Sequence, residues 1–175
     1  MAMNGNVKFE KALAARLGII KPSRQDFQSC LKQNPPKFTP GIKKLIKTLQ
    51  DKGIAVFFVS GGFRLMIEPI AEEVGIPFSS IYANTIFFDD DGNYSGFDDA
   101  ELTSRDGGKA QAVRVIKRIH GFEKIAVVGD GVTDLQARPP ADIMVGFGGV
   151  VTRDVVKKEA DLFITDFDHL SKLLL

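Results

Sequence analysis

The amino-acid sequence predicts an α/β fold built on a parallel sheet. Short apolar runs without polar alternation, such as Ile54–Ser60 and Ile125–Val128, are typical of strands that are buried on both faces of a parallel sheet. Segments with helical periodicity lie between these runs, and regular alternation of helix and strand marks the α/β class. In such sheets ligands bind beyond the carboxyl ends of the strands, so functional residues are expected there.

Two helices are predicted before the first of these strands. One covers about Lys8–Leu17, and a second lies within Lys21–Gln33, where Ser23 can act as its N-cap. The proline-containing stretch NPPKFTP then interrupts the chain. It predicts a boundary between residues 1–37 and residues 38–175.

The remaining elements follow from their breakers and periodicity. The pair Thr-Pro at 39–40 can start a helix that Gly53 ends. Strand Ile54–Ser60 leads into a helix that reaches about Val74 and that Pro69 should kink. The later elements are a hairpin at about 81–97, a helix over Lys109–Ile119, and strands at Ile125–Val128, Ile143–Val145 and Leu162–Thr165.

Composition excludes several classes of protein. A net charge of +1 in 175 residues gives no bulk attraction to nucleic acid or to a membrane. The single cysteine, Cys30, excludes an internal disulfide and is predicted to be a buried small apolar residue. No Cys/His spacing for zinc, no apolar run long enough to span a bilayer and no apolar signal segment is found. A cytoplasmic location is therefore expected.

The first candidate site is the sequence Ser60-Gly61-Gly62 at the end of a predicted strand. Glycines let the backbone approach an anion closely, a serine hydroxyl can donate to that anion, and the start of the following helix adds free N–H groups. A tight strand-to-helix turn would use the same residues, so both interpretations stay open.

The second candidate is Lys109 in the sequence DGGKA. A lysine in the first turn of a helix is unfavourable by up to about 1 kcal/mol, because it lies at the positive end of the helix dipole. An anion between the lysine and the helix end would explain this placement. A solvated lysine that bears this small cost is the alternative.

The third candidate is the pair Asp130 and Asp134 in IAVVGDGVTD, which follows a predicted buried strand. Carboxylates on one side of such a turn suit Mg²⁺, which usually takes one or two carboxylates with water and phosphate. Asp134 could instead satisfy free N–H groups at a helix start. A carboxylate at the end of a strand that is predicted to be buried, as Asp130 would be, needs a strong partner.

A second acidic pair, Asp89 and Asp91, has the spacing D-x-D but is assigned to a turn. Two β-prone runs flank the sequence DDDGN, and that arrangement is typical of a hairpin. The stretch also fails as an EF-hand, because Phe87 would take the place of the first ligand.

The stretches FFVSGGF, SRDGGKAQAV, VVGDGVTDLQARPPAD and VGFGG resemble the haloacid dehalogenase-like phosphatases, and within them the branch that hydrolyses O-phosphoserine. NGNVKFEKALAARLGIIKPSR resembles the small helical cap of that branch. The resemblance implies a Rossmann-like core domain at 38–175 and the remainder of a helical cap at 1–37. It implies Mg²⁺-dependent hydrolysis of O-phospho-L-serine to L-serine and phosphate, the last step of L-serine biosynthesis. It also implies a small-molecule substrate, no nucleic-acid or membrane partner, and a homodimer as the oligomer to expect.

By this resemblance Ser60 and Lys109 hold the phosphoryl group, and the backbone of Gly61 and Gly62 contacts it. Lys109 and Asp130 are the catalytic residues that the chain contains.

The resemblance further implies that Asp130 binds Mg²⁺ and that Asp134 supports the metal site. Thr133 would lie in the substrate pocket, Arg16 would bind the substrate carboxylate, and Met3 would cover the substrate.

One part of the family pattern is missing. The family's chemistry starts from a DxDx[TV] motif after a first strand, where one aspartate attacks phosphorus and the other acts as general acid and base. These 175 residues contain no such motif before the cap-like segment. We therefore expect a truncated and inactive chain that lacks the first, central strand and is unstable or aggregation-prone by itself. An organellar location stays open if a transit peptide was lost with the missing segment.

Two alternatives from other classes remain. A non-catalytic protein could use Arg16, Ser60, Lys109 and Asp130 to bind phosphoserine or phosphate as a regulator. A nucleotide-binding α/β protein has weaker support, because Gly146–Gly149 lacks the third glycine of a dinucleotide fingerprint.

Overall fold

The computed structural model describes residues 8–173, which divide into two compact units. The first unit contains the described residues up to Pro36 together with Phe57–Gly108, and the second contains Lys37–Val56 and the chain from Lys109 onward. The division predicted from the sequence, 1–37 and 38–175, stays a prediction.

The described chain contains both helices and strands, which alternate strictly from residue 108 onward. In order they are α1 (Phe9–Ile20), α2 (Arg24–Gln33), α3 (Ile42–Asp51), β1 (Phe58–Phe63), α4 (Arg64–Glu73), β2 (Ile81–Asn84), β3 (Ile86–Phe88), β4 (Tyr94–Phe97), α5 (Gly108–His120), β5 (Ala126–Gly129), α6 (Val132–Leu135), β6 (Ile143–Phe147), α7 (Asp154–Glu159), β7 (Leu162–Ile164) and α8 (Phe167–Leu173). Two short 3₁₀ helices, Phe78–Ser80 and Leu102–Ser104, add to these.

The strands form three separate sheets among the described residues. In the first unit, β1 pairs with β2 in parallel, and β3 pairs with β4 as an antiparallel hairpin. In the second unit, β5, β6 and β7 form a parallel sheet with β6 in the middle. The predicted α/β class with parallel sheets is thereby confirmed.

The hairpin prediction is confirmed for part of its range. The antiparallel pair covers β3 and β4, whereas residues 81–84 form β2, which runs parallel to β1. The acidic residues lie at the turn, where the Asn93 N–H donates to Asp89 Oδ1 at 2.7 Å. Asp89 is thus used to close the hairpin.

Helix α2 begins as the sequence predicts. The Asp26 N–H donates to the Ser23 hydroxyl at 3.1 Å, and the Ser23 N–H donates to Asp26 Oδ2 at 2.7 Å. This reciprocal capping box satisfies two otherwise free N–H groups. The Ser23 hydroxyl also donates to Asp26 Oδ2 at 2.7 Å, and this bond, together with the one from the Ser23 N–H, lowers the pKa of Asp26.

Helix α3 begins later than the predicted start at 39–40. Its N-cap is Gly41, whose φ of 83° lies in the left-handed region and separates Pro40 from the helical backbone. A side chain at Gly41 would also come within 3.2 Å of Phe167 Cβ. The predicted end at Gly53 agrees with its φ of 70°, which suits glycine.

The extent and burial predicted for β1 were wrong. The strand begins at Phe58 rather than Ile54, because its partner β2 is short and pairing starts at Phe58. Ile54 is 42% exposed, and the residues of β1 are mostly half-buried. In contrast, β6 has a strand on each side and is buried from Met144 to Phe147.

Each unit has its own apolar core. In the first unit the Phe27 ring meets the rings of Phe63 and Phe88 edge-on, and these pack with Leu13 and Leu17 of α1. The core of the second unit contains Leu45, Val145, Phe147, Ile164 and Phe167. Aromatic pairs of this kind add about 0.5–1.5 kcal/mol beyond burial.

The predicted burial of Cys30 was wrong, since this residue is exposed on α2, where Phe27 is the buried residue. Within residues 8–173, no helix combines the length and the apolar character that crossing a membrane would require.

Candidate functional site

The Ser-Gly-Gly sequence forms a bulge at the end of β1. Val59 lies opposite Tyr82 and Phe63 lies opposite Asn84, so the three residues 60–62 face the single residue 83 of β2. Bulges of this kind redirect side chains and are frequent at functional sites. Phe63 alone separates the bulge from α4, so the bulge lies close to the start of a helix.

The Ser60 hydroxyl has a defined role inside this bulge. The Gly62 N–H donates to Ser60 Oγ at 3.0 Å. Because Oγ accepts this bond, its own proton remains available for another acceptor. A Cβ atom at residue 62 would lie 3.2 Å from Ser60 Oγ, which explains the glycine there.

Behind the bulge lies a buried polar pair that sequence reasoning missed. Asn84 has no exposed surface, and its Nδ2 donates to the Gly61 carbonyl at 2.8 Å. The Thr103 hydroxyl donates to Asn84 Oδ1 at 2.9 Å. A polar residue at the end of the apolar run IYAN was the available signal, because a buried amide needs hydrogen-bond partners.

The sequence predicts two substrate-binding residues near the N-terminus, Arg16 and Met3. Arg16 is exposed on α1, whose buried residues are Leu13 and Leu17. Met3 lies outside the described residues, so its role stays a prediction.

In the second unit, Asp134 is buried at the start of α6, with only 6% of its surface exposed. Its Oδ1 accepts from Lys109 Nζ at 2.7 Å, and its Oδ2 accepts from the Gly131 N–H at 3.0 Å. Asp134 therefore satisfies a free N–H group at the start of α6, as one interpretation predicted, and it also forms an ion pair with Lys109.

Lys109 lies in the first turn of α5, as predicted, and its side chain is 24% exposed. The anion that it meets here is the Asp134 carboxylate. An ion pair offsets the unfavourable position of the lysine near the helix N-terminus. The role of Lys109 in holding a phosphoryl group stays a prediction.

Asp130 follows β5 and keeps an accessible carboxylate, with 48% of its side chain exposed. Arg153 donates from Nε to the Asp130 backbone carbonyl at 3.0 Å, and its Nη2 lies 3.3 Å from Asp130 Oδ2. Sequence reasoning missed Arg153, because it stands in a loop before α7 and no local motif links it to Asp130. Thr133, the neighbouring predicted site residue, is exposed on α6.

Asp130 and Asp134 are the carboxylates that the sequence predicts as a Mg²⁺ site. No group of three or more His, Cys, Asp or Glu side chains that could hold a metal occurs within residues 8–173. Mg²⁺ commonly needs only one or two carboxylates, with water and phosphate completing its shell. Asp130 fits this mode. Asp134 has both oxygens bonded already, but each keeps a second lone pair that can support the water shell.

Comparison with known proteins gives the family. The family model described as haloacid dehalogenase-like hydrolase matches residues 6–137. The phosphoserine phosphatase of Bos taurus is 45% identical over 169 residues, which cover 97% of this chain and 75% of the relative. The chloroplastic phosphoserine phosphatase of Arabidopsis thaliana is 46% identical over 171 residues, which cover 97% of this chain and 58% of the relative.

A solved structure agrees with these relatives. The structure of a phospho-aspartyl intermediate analogue of phosphoserine phosphatase has a TM-score of 0.79 and 27% identity, and the match covers 98% of this chain and 80% of that one. The chain therefore belongs to the haloacid dehalogenase-like hydrolases, in the branch that contains the phosphoserine phosphatases.

Proposed function

We propose that this chain serves the Mg²⁺-dependent hydrolysis of O-phospho-L-serine to L-serine and phosphate, the last step of L-serine biosynthesis. The observation that carries the proposal is the β1 bulge, in which Ser60 accepts from the Gly62 N–H and so keeps its hydroxyl proton for an anion. The identity of 45% to a phosphoserine phosphatase over 97% of the chain supports the choice of substrate.

The residues of the bulge bind the phosphoryl group in this proposal. Ser60 donates its hydroxyl proton to a phosphoryl oxygen. Gly61 and Gly62 let the backbone come close to that oxygen, because neither carries a side chain. Lys109 is proposed to hold the phosphoryl group as well, since hydrogen bonds between ionised groups are roughly twice as strong as neutral ones.

The metal is held through Asp130, with Asp134 in support. When bound, Mg²⁺ supplies positive charge that stabilises the phosphoryl oxygens. Asp130 suits this role because nearly half of its side chain is exposed. Thr133 is exposed in the same turn and is proposed to contact the substrate.

Selectivity for phosphoserine is assigned to the N-terminal segment. Arg16 would bind the substrate carboxylate, since a guanidinium can donate two parallel hydrogen bonds to a carboxylate. Its exposure on α1 supports this role. Met3 is proposed to cover the substrate.

The nucleophile is the part for which these residues offer no candidate. The chain contains no DxDx[TV] motif. Asp89 closes the β3–β4 hairpin, and the other D-x-D pair serves α8, where Asp166 accepts from the His169 N–H and Asp168 pairs with Lys44. We therefore propose that the 175 residues by themselves bind substrate but release phosphate at a rate near background.

A second candidate function follows from the same residues. A protein that binds phosphoserine or phosphate without catalysis would use Ser60, Lys109, Asp130 and Arg16 in the same way. Tight, saturable binding without turnover, in a well-folded chain, is the observation that would favour it.

The test uses the 175-residue chain with Mg²⁺. Calorimetric titration with O-phosphoserine should give saturable binding that Ser60→Ala weakens by about tenfold, the worth of one hydrogen bond to a charged group. An assay for released phosphate should stay near background. A chain that binds no phosphoserine contradicts the proposal. Turnover that survives Asp89→Asn and Asp91→Asn but is lost in Asp130→Asn would identify another residue as the nucleophile.

Location and assembly complete the proposal. We place the protein in the cytoplasm or, because the Arabidopsis relative is named chloroplastic, in an organelle. We propose a homodimer as its oligomer, and light scattering at several concentrations tests that state.

A further inference from the structure

Asn84 stands out among the buried residues of the first unit. It has no exposed surface, yet it carries an amide rather than an apolar side chain. Burying an amide is unfavourable unless its groups are hydrogen-bonded. Its Nδ2 donates to the Gly61 carbonyl and its Oδ1 accepts from the Thr103 hydroxyl. A residue with one donor and one acceptor is therefore required at this place.

The bond to Gly61 fixes the orientation of a whole peptide group. In a trans peptide the C=O and the N–H point in opposite directions. The carbonyl of the Gly61–Gly62 peptide points to Asn84, so its N–H must point away from Asn84. On that side lies Ser60 Oγ, which accepts from the Gly62 N–H at 3.0 Å.

Two flexible glycines would otherwise leave this peptide free to rotate, because glycine adopts many backbone conformations at little cost. The bulge weakens the strand pairing that would restrain this peptide, since residues 60–62 face a single residue of β2. Asn84 comes from the neighbouring strand and supplies the missing restraint.

We infer that Asn84 is a positioning residue for anion binding: it orients the Gly61–Gly62 peptide so that the Gly62 N–H occupies a lone pair of Ser60 and the Ser60 hydroxyl is directed as a donor. Only the identity of the anion as a phosphoryl group rests on the proposed function. Asn84 itself touches no substrate in this arrangement.

A matched pair of variants separates positioning from stability. Asn84→Ala removes the bond to Gly61, whereas Thr103→Val removes the other bond of the same amide and leaves the bond to Gly61 in place. Both variants should lower the urea midpoint of unfolding, since each leaves a buried polar network incomplete. Should Asn84→Ala not fold, Asn84→Ser replaces it, because the shorter hydroxyl falls short of the Gly61 carbonyl.

The first readout needs no ligand. Hydrogen exchange of the Gly62 amide, measured by NMR on the full chain with ¹⁵N-glycine, should speed up by about tenfold in Asn84→Ala, the effect expected from losing one hydrogen bond. In Thr103→Val it should stay close to that of the unaltered chain. An unchanged Gly62 amide in Asn84→Ala overturns the inference.

The second readout is the affinity for inorganic phosphate. Asn84→Ala and Ser60→Ala should each weaken it by about tenfold, and the double variant should lose little more, because both act through one hydroxyl. If Ser60→Ala weakens binding and Asn84→Ala does not, the inference is overturned. If the unaltered chain binds no phosphate, the proposed function fails, and the exchange of the Gly62 amide alone then decides for or against the role of Asn84.

Discussion

The carboxyl group of Asp134 lies against the α-carbon of Gly129, so close that a methyl group on Gly129 would overlap it. The strand β5 ends in glycine for this reason. The space that the glycine leaves is filled by a carboxylate that bonds Lys109 on one oxygen and the Gly131 N–H on the other. The residues of the stretch VVGDGVTD therefore pack against one another.

Replacing Gly129 by alanine should displace Asp134 and destabilise the chain. The added methyl group has no free space, and overpacking of this kind costs about 1–3 kcal/mol. Urea unfolding followed by circular dichroism measures the effect. The control is Gly18→Ala on α1, where the new methyl group would lie in open space. There helix propensity should raise stability by up to about 1 kcal/mol. Equal midpoints for Gly129→Ala and the unaltered chain would contradict the packing described here.

Replacing Asp134 by asparagine should lower the stability of the chain more than breaking an exposed ion pair does. The Asp134 side chain is 9% exposed, and the change leaves Lys109 without its anion, so we expect a loss of about 1–3 kcal/mol in the free energy of unfolding. The matched control is Asp51→Asn, which breaks the exposed pair with Lys47. The Asp51 side chain is 61% exposed, and such pairs contribute about 0.5 kcal/mol or less. A similar small loss in both variants would show that the Lys109–Asp134 pair adds nothing.

Asp142 should make stability depend on pH in acid. The hydrogen bond from Lys117 and that from the Ile125 N–H hold the pKa of Asp142 below its ordinary value of 3.8. A carboxyl group with a lowered folded pKa stabilises the protein above its unfolded pKa, and this contribution is lost as pH falls through the folded value. Between pH 5 and about pH 3, near the ordinary Asp pKa, Asp142→Asn should therefore lose less stability than the unaltered chain. Parallel urea midpoints for the two chains over this range would refute the link.

Arg16 should determine preference for a substrate that carries a carboxylate. O-Phosphoethanolamine is phosphoserine without its carboxylate, so the unaltered chain should bind it about 10- to 100-fold more weakly, the worth of a hydrogen bond to a charged group. Arg16→Gln should remove this preference and leave the affinity for phosphoethanolamine unchanged. Lys11→Gln is the control, since Lys11 is another exposed cation on α1. A preference that persists in Arg16→Gln assigns carboxylate binding to another residue.

The open edge of β5 should make the chain associate with itself. Within the described residues β5 has β6 as its only neighbouring strand, and Val128 on it is 41% exposed. Unpaired apolar edges are templates for aggregation, and lysine on an edge suppresses it. Val128→Lys should therefore reduce light scattering. Val155→Lys on α7, where the valine is 44% exposed, should leave it unchanged. Light scattering from the unaltered chain that shows no species larger than a dimer, together with a sharp, reversible melt, would contradict this prediction.

The sequence predicts those features that depend on neighbouring residues. The cap of α2 at Ser23, the glycine that ends α3 and the hairpin turn at Asp89 are all local patterns, and the structure contains them. Ser60 and Asp130 could be selected because strand ends can be read from apolar runs, and Lys109 because it stands in the first turn of a predicted helix.

The features that sequence reasoning missed depend on distant residues. The start of β1 follows the length of β2, and its exposure depends on how many strands flank it. Asn84 and Arg153 act on Gly61 and Asp130, which are far away in sequence. No local pattern carries that information, so these contacts appear only in the folded chain.

The capped helix α2 also makes a contact that sets an order of folding. Its first residue, Arg24, donates its N–H to the carbonyl of Gly92 in the β3–β4 turn at 2.9 Å, and its guanidinium lies 4.7 Å from the centre of the Phe88 ring. The hairpin closes a short loop, which takes about 1–10 μs. The contact with α2 must close the much longer chain from residue 24 to residue 92, and its entropic cost rises with length. The hairpin is therefore expected to form first and to act as the surface on which α2 completes its first turn.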